Sequence, residues 1–543
     1  MCGIFGSINR NALQDTYVGL KRLEYRGYDS FGYVALQGDE EYMCRQLGAL
    51  DQTAFHDPEI QYDAVIGHVR WATNGEVTVE NAHPQTSYGF YVVHNGVIEN
   101  APKNTFDTKW LANLLELYEG DVVRAFDKIE GDNAFVFLNK ETREIWCVAK
   151  GSKRLFITPK GYVSSDLEAL AGFDQEAWVL ENNYSTISGE LLMGPPIGFN
   201  RYIDIPLVRE LTVKSGGHKM LAEIEEQATL ESYRWPTIEH DVDIIATGSS
   251  LYAAMFGSYA IEKKKSIQIR CLHASQVRYR SLGVDLLAIS QSGETKDVIN
   301  ALKDEGDFTC ITNNPHSTLY DMCSVPFRMD VGPEEAVAAT KTFTMSCIKL
   351  CQSAGISMYH HGDLQYPLYS SVSTLQPYIE DVLDRTDEIK EIADRIMGYE
   401  HFLFLGDRQN YPIALEGALK FKEVAYVHAE GMQSSEMKHG PIALVDHRVT
   451  SLFIITEGFS PETLSNIQEI KSRRGFVVAI THDAIKNDLE DLADITFSCK
   501  DTGEQFSQSL VLNVVLQLLS YYIAVKRGIN PDRPRNLAKC VTV

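Results

Sequence analysis

Basic residues are in the minority. Against 74 Asp and Glu stand 50 Lys and Arg, a formal net charge of −24 over 543 residues, and such a surface repels a polyanion at long range. This argues against nucleic acid as a partner. An anionic small molecule would have to be captured locally, by backbone N–H groups, hydroxyls and a few placed lysines. The ten cysteines include no CxxC pair and no dense spacing, so neither a disulfide framework nor a zinc site is expected and a reducing, cytoplasmic setting is the default. The opening Met1-Cys2-Gly3-Ile4-Phe5-Gly6 lacks the basic start and apolar stretch of an export signal, and no apolar run reads as long enough to cross a membrane.

What is present is enough Val, Ile, Leu and Phe for several cores, and the length calls for about three domains. Up to about residue 200 the pattern is α+β, with short strands such as 64–68 and 89–94 and helices at 12–24 and 108–118. From about 240 it becomes a parallel α/β pattern: buried apolar strands at 243–246, 285–289 and 308–311, each leading through a polar turn into a helix. A similar series recurs at 402–405, 451–455 and 476–480, so the α/β half reads as duplicated. The boundaries expected are 1–214 for the α+β domain, 215–231 for a linker carrying a charged helix, 232–375 and 376–529 for the two α/β copies, and 530–543 for an irregular tail containing Pro531 and Pro534.

Cys2 follows an initiator Met that a small neighbour normally allows to be removed, which would leave a thiol and a free α-amine on one residue. The amine, with an ordinary pKa of roughly 7.7 to 8.0, can accept the thiol proton without a histidine. Taken alone, Cys2 reads more readily as a small core residue. The stretch from His68 to Glu76 adds the guanidinium of Arg70 and the hydroxyl of Thr73 beside Trp71, the parts of a carboxylate clamp. Asn95-Gly96 offers a side-chain amide and an unobstructed backbone N–H, the donors of an oxyanion hole, and Asp107 a carboxylate for a substrate ammonium. Singly, Arg70 and Asp107 read as surface charges and Asn95-Gly96 as a hairpin turn; together they describe a pocket for an amino acid with an amide to be cut.

These residues carry a resemblance. Met1-Cys2-Gly3-Ile4, Leu23-Glu24-Tyr25-Arg26-Gly27-Tyr28-Asp29-Ser30, Arg70-Trp71-Ala72-Thr73, Asn81-Ala82-His83-Pro84 and His94-Asn95-Gly96 resemble the N-terminal-nucleophile glutaminase domain of glutamine amidotransferases, an αββα sandwich. The resemblance implies Cys2 as nucleophile, Asn95 and Gly96 as oxyanion hole, Arg70, Thr73 and Asp107 as glutamine ligands, and Trp71 as the gate of an ammonia channel.

In the α/β half, Ser290-Gln291-Ser292-Gly293-Glu294-Thr295 ends a strand and opens a helix, and Gly248-Ser249-Ser250 holds the equivalent place after the first strand. One such start is usually an N-cap; two on neighbouring strands point to a phosphate. Hydrogen transfer between C1 and C2 of a sugar needs a carboxylate base, and ring opening a proton shuttle such as histidine. Glu423 and His439 supply these types, although a Lys420-Phe421-Lys422-Glu423 helix is ordinarily a solvated face.

A second resemblance supplies context. The 290–295 motif, Glu335-Ala336-Val337-Ala338-Ala339-Thr340-Lys341, Ala414-Leu415-Glu416-Gly417-Ala418-Leu419-Lys420 and Arg535-Asn536-Leu537-Ala538-Lys539 resemble the paired sugar isomerase (SIS) domains, doubly wound parallel sheets, and the tail of the glutamine:fructose-6-phosphate aminotransferase family. The resemblance implies conversion of fructose 6-phosphate and L-glutamine to glucosamine 6-phosphate and glutamate without metal or organic cofactor. It implies Ser290, Gln291, Ser292 and Thr295 on the phosphate and Ser249, Ser250 and Val337 on the sugar. It implies Lys539 as the Schiff-base lysine, Glu423 as the C1/C2 base, Lys420 as its helper, and His439 as ring opener from a neighbouring subunit, hence a homodimer or higher oligomer. The family usually has His at position 74, Thr at 249 and Ser at 339, where this chain has Asn, Ser and Ala, and the segment between Asn100 and Asp107 is shorter here. Two other readings stand beside this one. The first is a glutaminase feeding another keto-sugar phosphate, or running in reverse as a deglycase; the second is a catalytically silent sugar-phosphate sensor, which has no use for both Cys2 and Lys539.

Overall fold

The computed structural model describes residues 2–9, 11–55, 61–72, 75–102, 106–188, 201–206, 217–230, 237–279, 282, 285–355, 375–456 and 461–540. The chain divides into two compact units, Met1–Glu210 with Ala538–Val543, and Leu211–Leu537.

The first unit is built on an antiparallel arrangement of 11 strands, in which Gly3–Ser7 lies between Ala64–Arg70 and Tyr162–Ser164, and Phe90–Gly96 pairs with Asn133–Asn139. Side chains alternate along each strand, and the alternation sorts them into three apolar layers. Phe5, Val65 and Val69 face the helix Ala12–Leu23. Ile4, Ile66, Tyr91, Val93, Ala134 and Val136 meet one another. Val92, Phe135 and Phe137 face the helices Asp107–Leu117 and Val122–Asp127. Three cores between four layers make the helix–sheet–sheet–helix sandwich. Helix Ala12–Leu23 joins it because its buried positions Leu13, Thr16, Leu20 and Leu23 recur at helical spacing.

The second unit holds two five-stranded parallel sheets of identical topology. The first runs Ile269–His273, Val242–Ala246, Asp285–Ile289, Thr309–Thr312, Val325–Arg328, and the second runs His428–Met432, His401–Gly406, Val449–Ile454, Phe476–His482, Ile495–Cys499. The strand order reverses beside Val242–Ala246 and His401–Gly406, the switch point where such sheets leave a crevice at their C-terminal ends. Helices Gly248–Lys264, Lys341–Ser353, Asn410–Ala425 and Gln505–Lys526 contribute to one apolar core that joins both sheets.

Helix Gln505–Lys526 corrects the reading that no segment reaches membrane-spanning length. It is long and apolar enough by composition, and 89% of its most apolar stretch is buried within the protein. Ser507, Gln508, Ser509, Asn513, Gln517 and Ser520 interrupt its apolar sequence, yet all are buried. Several find partners, Ser509 donating to Asn410 Oδ1 at 2.7 Å and Gln517 Oε1 accepting from Gln227 at 2.6 Å. A helix apolar on every side is the centre of a core. The segment around 219–225 is equally interior: Met220 and Ile224 lie in the same core, and Asp532 accepts hydrogen bonds from Lys219 N at 2.9 Å and Met220 N at 2.8 Å. The proline-bearing tail is thus tied to a helix N-terminus by a carboxylate, where backbone N–H groups lack helical partners.

Candidate active site

In the first unit, the start of strand Gly3–Ser7 and the end of strand Phe90–Gly96 bring two groups together. The Cys2 backbone nitrogen donates to Asn95 Oδ1 at 3.1 Å, and Cys2 Sγ lies 3.5 Å from the Trp71 carbonyl oxygen. With its oxygen engaged, the Asn95 amide keeps its N–H donors for another acceptor. Asn95-Gly96 is no hairpin turn; it closes a strand paired residue by residue with Asn133–Asn139. Gly96 has φ +149°, and a Cβ there would sit 2.3 Å from the Asp132 carbonyl oxygen, so only glycine fits.

Arg70 and Asp107 are not surface charges. They are 2% and 3% exposed. Burial lowers the Arg70 pKa, opposed by the nearby Cys2, Asp29 and Asp107 groups; its guanidinium lies 5.1 Å from the Phe106 ring centroid. Asp107 opens its helix and accepts from Thr108 N at 2.9 Å and Ile98 N at 3.4 Å, a favourable place for an anion. Trp71 is half-buried, edge-on to Tyr28 at 6.2 Å between centroids. Thr73 and Asn74 lie outside the described residues.

Supporting residues that residue-type reasoning left without a role surround this site. Arg26 pairs with Asp166, which also accepts from Tyr25 Oη at 2.5 Å, while Asp29 accepts from Ala72 N at 2.8 Å and its own N–H donates to Arg70 O at 3.0 Å. The motif around Tyr25–Ser30 therefore anchors the segment bearing Arg70 and Trp71. Behind Asn95, His68 reaches the His94 carbonyl at 2.8 Å, and His83 and His94 each reach Thr108 Oγ1 at 3.0 Å. Burial holds all three imidazoles neutral, His68 pushed down to about 3 and His83 and His94 lowered from the usual histidine range. The signal was two His near strand ends and one in Ala82-His83-Pro84, but the sequence alone does not say that they meet.

In the second unit, Ser290 through Thr295 follow strand Asp285–Ile289. Ser290 Oγ is 2.8 Å from Thr295 Oγ1 and accepts from Gly293 N at 3.1 Å. Thr295 stands at the N-cap of helix Lys296–Leu302 but makes no side-chain capping bond, so its hydroxyl serves the loop rather than the helix. The loop is held from behind: Gln291 O accepts from Asn313 N at 2.9 Å, Gly293 O from Leu319 N at 3.0 Å, and Glu294 takes Thr318 N at 2.7 Å and Thr318 Oγ1 at 2.9 Å. Gln291 and Ser292 are half-buried. Ser249 and Ser250 open helix Gly248–Lys264 on the adjacent strand's end. Val337 sits in a pinned loop, its N–H donating to Asp532 O at 3.3 Å while Glu223 Oε1 accepts from Ala336 N at 3.0 Å.

The helix Asn410–Ala425 carries the charged cluster. Lys420 is 1% exposed, contrary to the ordinary fate of a Lys-rich helix, and its Nζ lies 2.6 Å from Glu423 Oε2 and 3.2 Å from Glu416 Oε1. Ser249 Oγ donates to Glu416 Oε1 at 3.0 Å and lies 3.4 Å from Lys420 Nζ. Burial alone would discharge Lys420; the two carboxylates overcome it and raise its pKa. His439 is exposed at the end of the short helix Ser434–His439 and has no hydrogen bond to this cluster among the described residues. Lys539 is half-buried in the tail. No group of three His, Cys, Asp or Glu side chains among the described residues is arranged to hold a metal.

Comparison with known proteins agrees with both halves. The SIS domain family matches residues 238–354 and 396–527. The chain is 33% identical to the glutamine–fructose-6-phosphate aminotransferase (isomerizing) of Aquifex aeolicus and 34% identical to that of Methanosarcina acetivorans, with all of each chain covered. The C-terminal domain of the Francisella tularensis enzyme superposes with a TM-score of 0.52 at 32% identity, covering 60% of this chain and all of that one. The chain belongs to the isomerizing glutamine–fructose-6-phosphate aminotransferase family.

Proposed function

We propose that Cys2 and Glu423 carry the two halves of this family's reaction, the transfer of glutamine's amide nitrogen to fructose 6-phosphate to give glucosamine 6-phosphate and glutamate. The observation that supports it most is the Cys2 nitrogen at 3.1 Å from Asn95 Oδ1 beside the buried Arg70 and Asp107. Once Met1 is removed that nitrogen is an α-amine. It takes the thiol proton as Sγ attacks the amide carbon, and returns it to the departing ammonia. The Asn95 amide and Gly96 N–H steady the oxyanion, Arg70 and Thr73 hold the α-carboxylate, Asp107 holds the α-ammonium, and water releases glutamate from the thioester. Trp71 gates the departure of ammonia.

The phosphate is held by Ser290, Gln291, Ser292 and Thr295, the sugar by Ser249, Ser250 and Val337. Lys539 forms an imine with C2 of the open ketose, and ammonia displaces it. Glu423 then removes a C1 proton and delivers one to C2, leaving an amine at C2 and an aldehyde at C1, while the Lys420 ammonium offsets charge on the neighbouring oxygens. The exposed His439 opens the ring in the site of a partner subunit, so the active form is a homodimer or larger. The functional division follows 1–214, 232–375, 376–529 and the tail 530–543, with 215–231 between the halves.

The test is product analysis with amide-labelled glutamine across several ketose phosphates; label in glucosamine 6-phosphate is expected, and label released only as ammonia refutes the reading. Cys2→Ala should lose glutamine use and keep amination by free ammonia, whereas Lys539→Ala should lose both. Mixing His439→Ala with Glu423→Gln chains should restore activity that neither has alone; no recovery would place His439 in its own subunit's site.

A further inference from the structure

Glu416 has no place in the roles above, yet it touches both Lys420 and Ser249. It lies in the motif Ala414-Leu415-Glu416-Gly417-Ala418-Leu419-Lys420, on the same helix face as Lys420 and Glu423 at spacings of four and seven residues. It is 0% exposed. Its Oε1 takes both the Ser249 hydroxyl at 3.0 Å and the Lys420 ammonium at 3.2 Å, and its Oε2 has no hydrogen-bond partner among the described residues. A carboxylate buried with one oxygen unpartnered costs several kcal/mol unless charge nearby compensates, so a purely structural residue here would ordinarily be apolar or an amide.

We infer that Glu416 is a positioning residue of the isomerisation step, fixing the Lys420 ammonium and the Ser249 hydroxyl beside the sugar and sharing the ammonium's charge so that Glu423 is free to move a proton. With two carboxylates against one ammonium, one negative charge is left over for a base; with Glu416 neutral, Lys420 and Glu423 form a closed pair. Among the described residues, Tyr252 of helix Gly248–Lys264 and Cys347 of helix Lys341–Ser353 face the cluster, and Tyr411, near the start of the helix that carries Glu416, neighbours Tyr252. Burial keeps the phenol of Tyr252 and the thiol of Cys347 protonated through the neutral range, so neither replaces the missing charge. Burial raises the Glu416 pKa, with Lys420 pulling against it and Glu423 adding to it.

This rests on the reading of Glu423 as the base, and the experiment separates the two. Glu416→Gln keeps an oxygen for Ser249 and removes only the charge. It is expected to lower kcat for glucosamine 6-phosphate formation by about 10- to 100-fold, a contribution typical of assisted proton transfer, with KM for fructose 6-phosphate nearly unchanged. Glu416→Asp keeps the charge, so it should recover most of the kcat that Glu416→Gln loses. A residue needed only for folding would lower stability along with the rate and gain nothing from the restored charge, so a Glu416→Gln chain that melts like the parent and keeps its kcat, or an aspartate variant no faster than the glutamine one, overturns the inference. If Glu423→Gln also retained turnover, the assignment of the base would be at fault; if Glu423→Gln is inactive and Glu416→Gln turns over like the parent, Glu416 alone has been misread.

Discussion

The proposed phosphate-binding loop can be tested through one added methyl group. Gly293 has φ +64°, and a Cβ on it would lie 2.0 Å from Ser317 Oγ, 2.4 Å from Ser317 Cβ and 2.9 Å from Thr312 Oγ1. Gly293→Ala therefore meets two penalties. The left-handed backbone costs about 1–2 kcal/mol for a residue with a Cβ, and forcing extra volume between packed atoms costs about 1–3 kcal/mol more. Because Gly293 N also donates to Ser290 Oγ, the loop relieves these penalties by giving up the arrangement that gathers Ser290 and Thr295. Restoring it for the phosphate then costs at least about 2 kcal/mol, which raises KM for fructose 6-phosphate by about 30-fold. The assay is initial rate of glucosamine 6-phosphate formation against fructose 6-phosphate at saturating glutamine, with kcat expected to change much less than KM. A second change, Ser317→Gly, removes the two nearest clashing atoms and leaves the backbone penalty and the 2.9 Å approach to Thr312 Oγ1, so the double variant should recover part of the loss. A Gly293→Ala protein with KM within about twofold of the parent would refute the argument that this backbone geometry makes the phosphate site.

Three further outcomes follow from the same kind of geometry. Gly96→Ala places its methyl 2.3 Å from Asp132 O and displaces the strand end that bears Asn95; glutamine hydrolysis should fall by about 100-fold or more, as when an oxyanion donor is lost, with the ammonia-dependent reaction the control. The neutral His68, His83 and His94 have pKa values below those of the unfolded chain, so their stabilisation is complete above about pH 6.5 and is lost as pH falls below it. Asp166, whose burial is outweighed by Arg26, is depressed likewise and adds a loss at lower pH, below about pH 4. Melting of the first unit should therefore drop as pH is lowered from 7 to 5, and His83→Gln should flatten that slope. Leu512→Ala, in a fully buried position of helix Gln505–Lys526, should cost about 2–5 kcal/mol of stability by urea unfolding; a cost near zero would place that helix outside the core.

Much of the architecture was legible because burial writes itself into composition. Strands 243–246, 285–289, 402–405 and 476–480 read as strands since a parallel sheet covered on both faces demands continuous apolar runs, and each lies within an observed strand. The edge strands Ile269–His273, Val325–Arg328 and His428–Met432 were missed for the converse reason. His428-Ala429-Glu430-Gly431-Met432 is partly exposed and pairs with one neighbour only, so its sequence carries neither alternation nor a continuous run. Within helix Gln505–Lys526, Ser509 and Gln517 interrupt the apolar run, and their burial depends on partners, Asn410 and Gln227, that lie far away in the sequence.

The site residues divide along the same physical line. Cys2, Asn95 and Gly96 could be proposed from sequence because the chemistry they suggest needs a thiol, an amide and an open N–H close together, and Cys2 N lies 3.1 Å from Asn95 Oδ1. Arg70, Asp107 and Lys420 were ambiguous, since a charged residue in one dimension reads as solvated, and only three-dimensional packing reveals that each is nearly inaccessible. Glu416 is the limiting case. Its partners Ser249 and Lys420 lie 167 and 4 residues away, and the nearer pair is the spacing that ordinarily marks a weak surface ion pair. What distinguishes it is the rest of its helix, where Ala414, Gly417, Ala418 and Phe421 are buried around it. A carboxylate amid apolar residues is costly to keep without a ligand-facing use, and that cost, more than the motif, makes Glu416 the residue whose charge should govern how fast a proton moves beside Lys420.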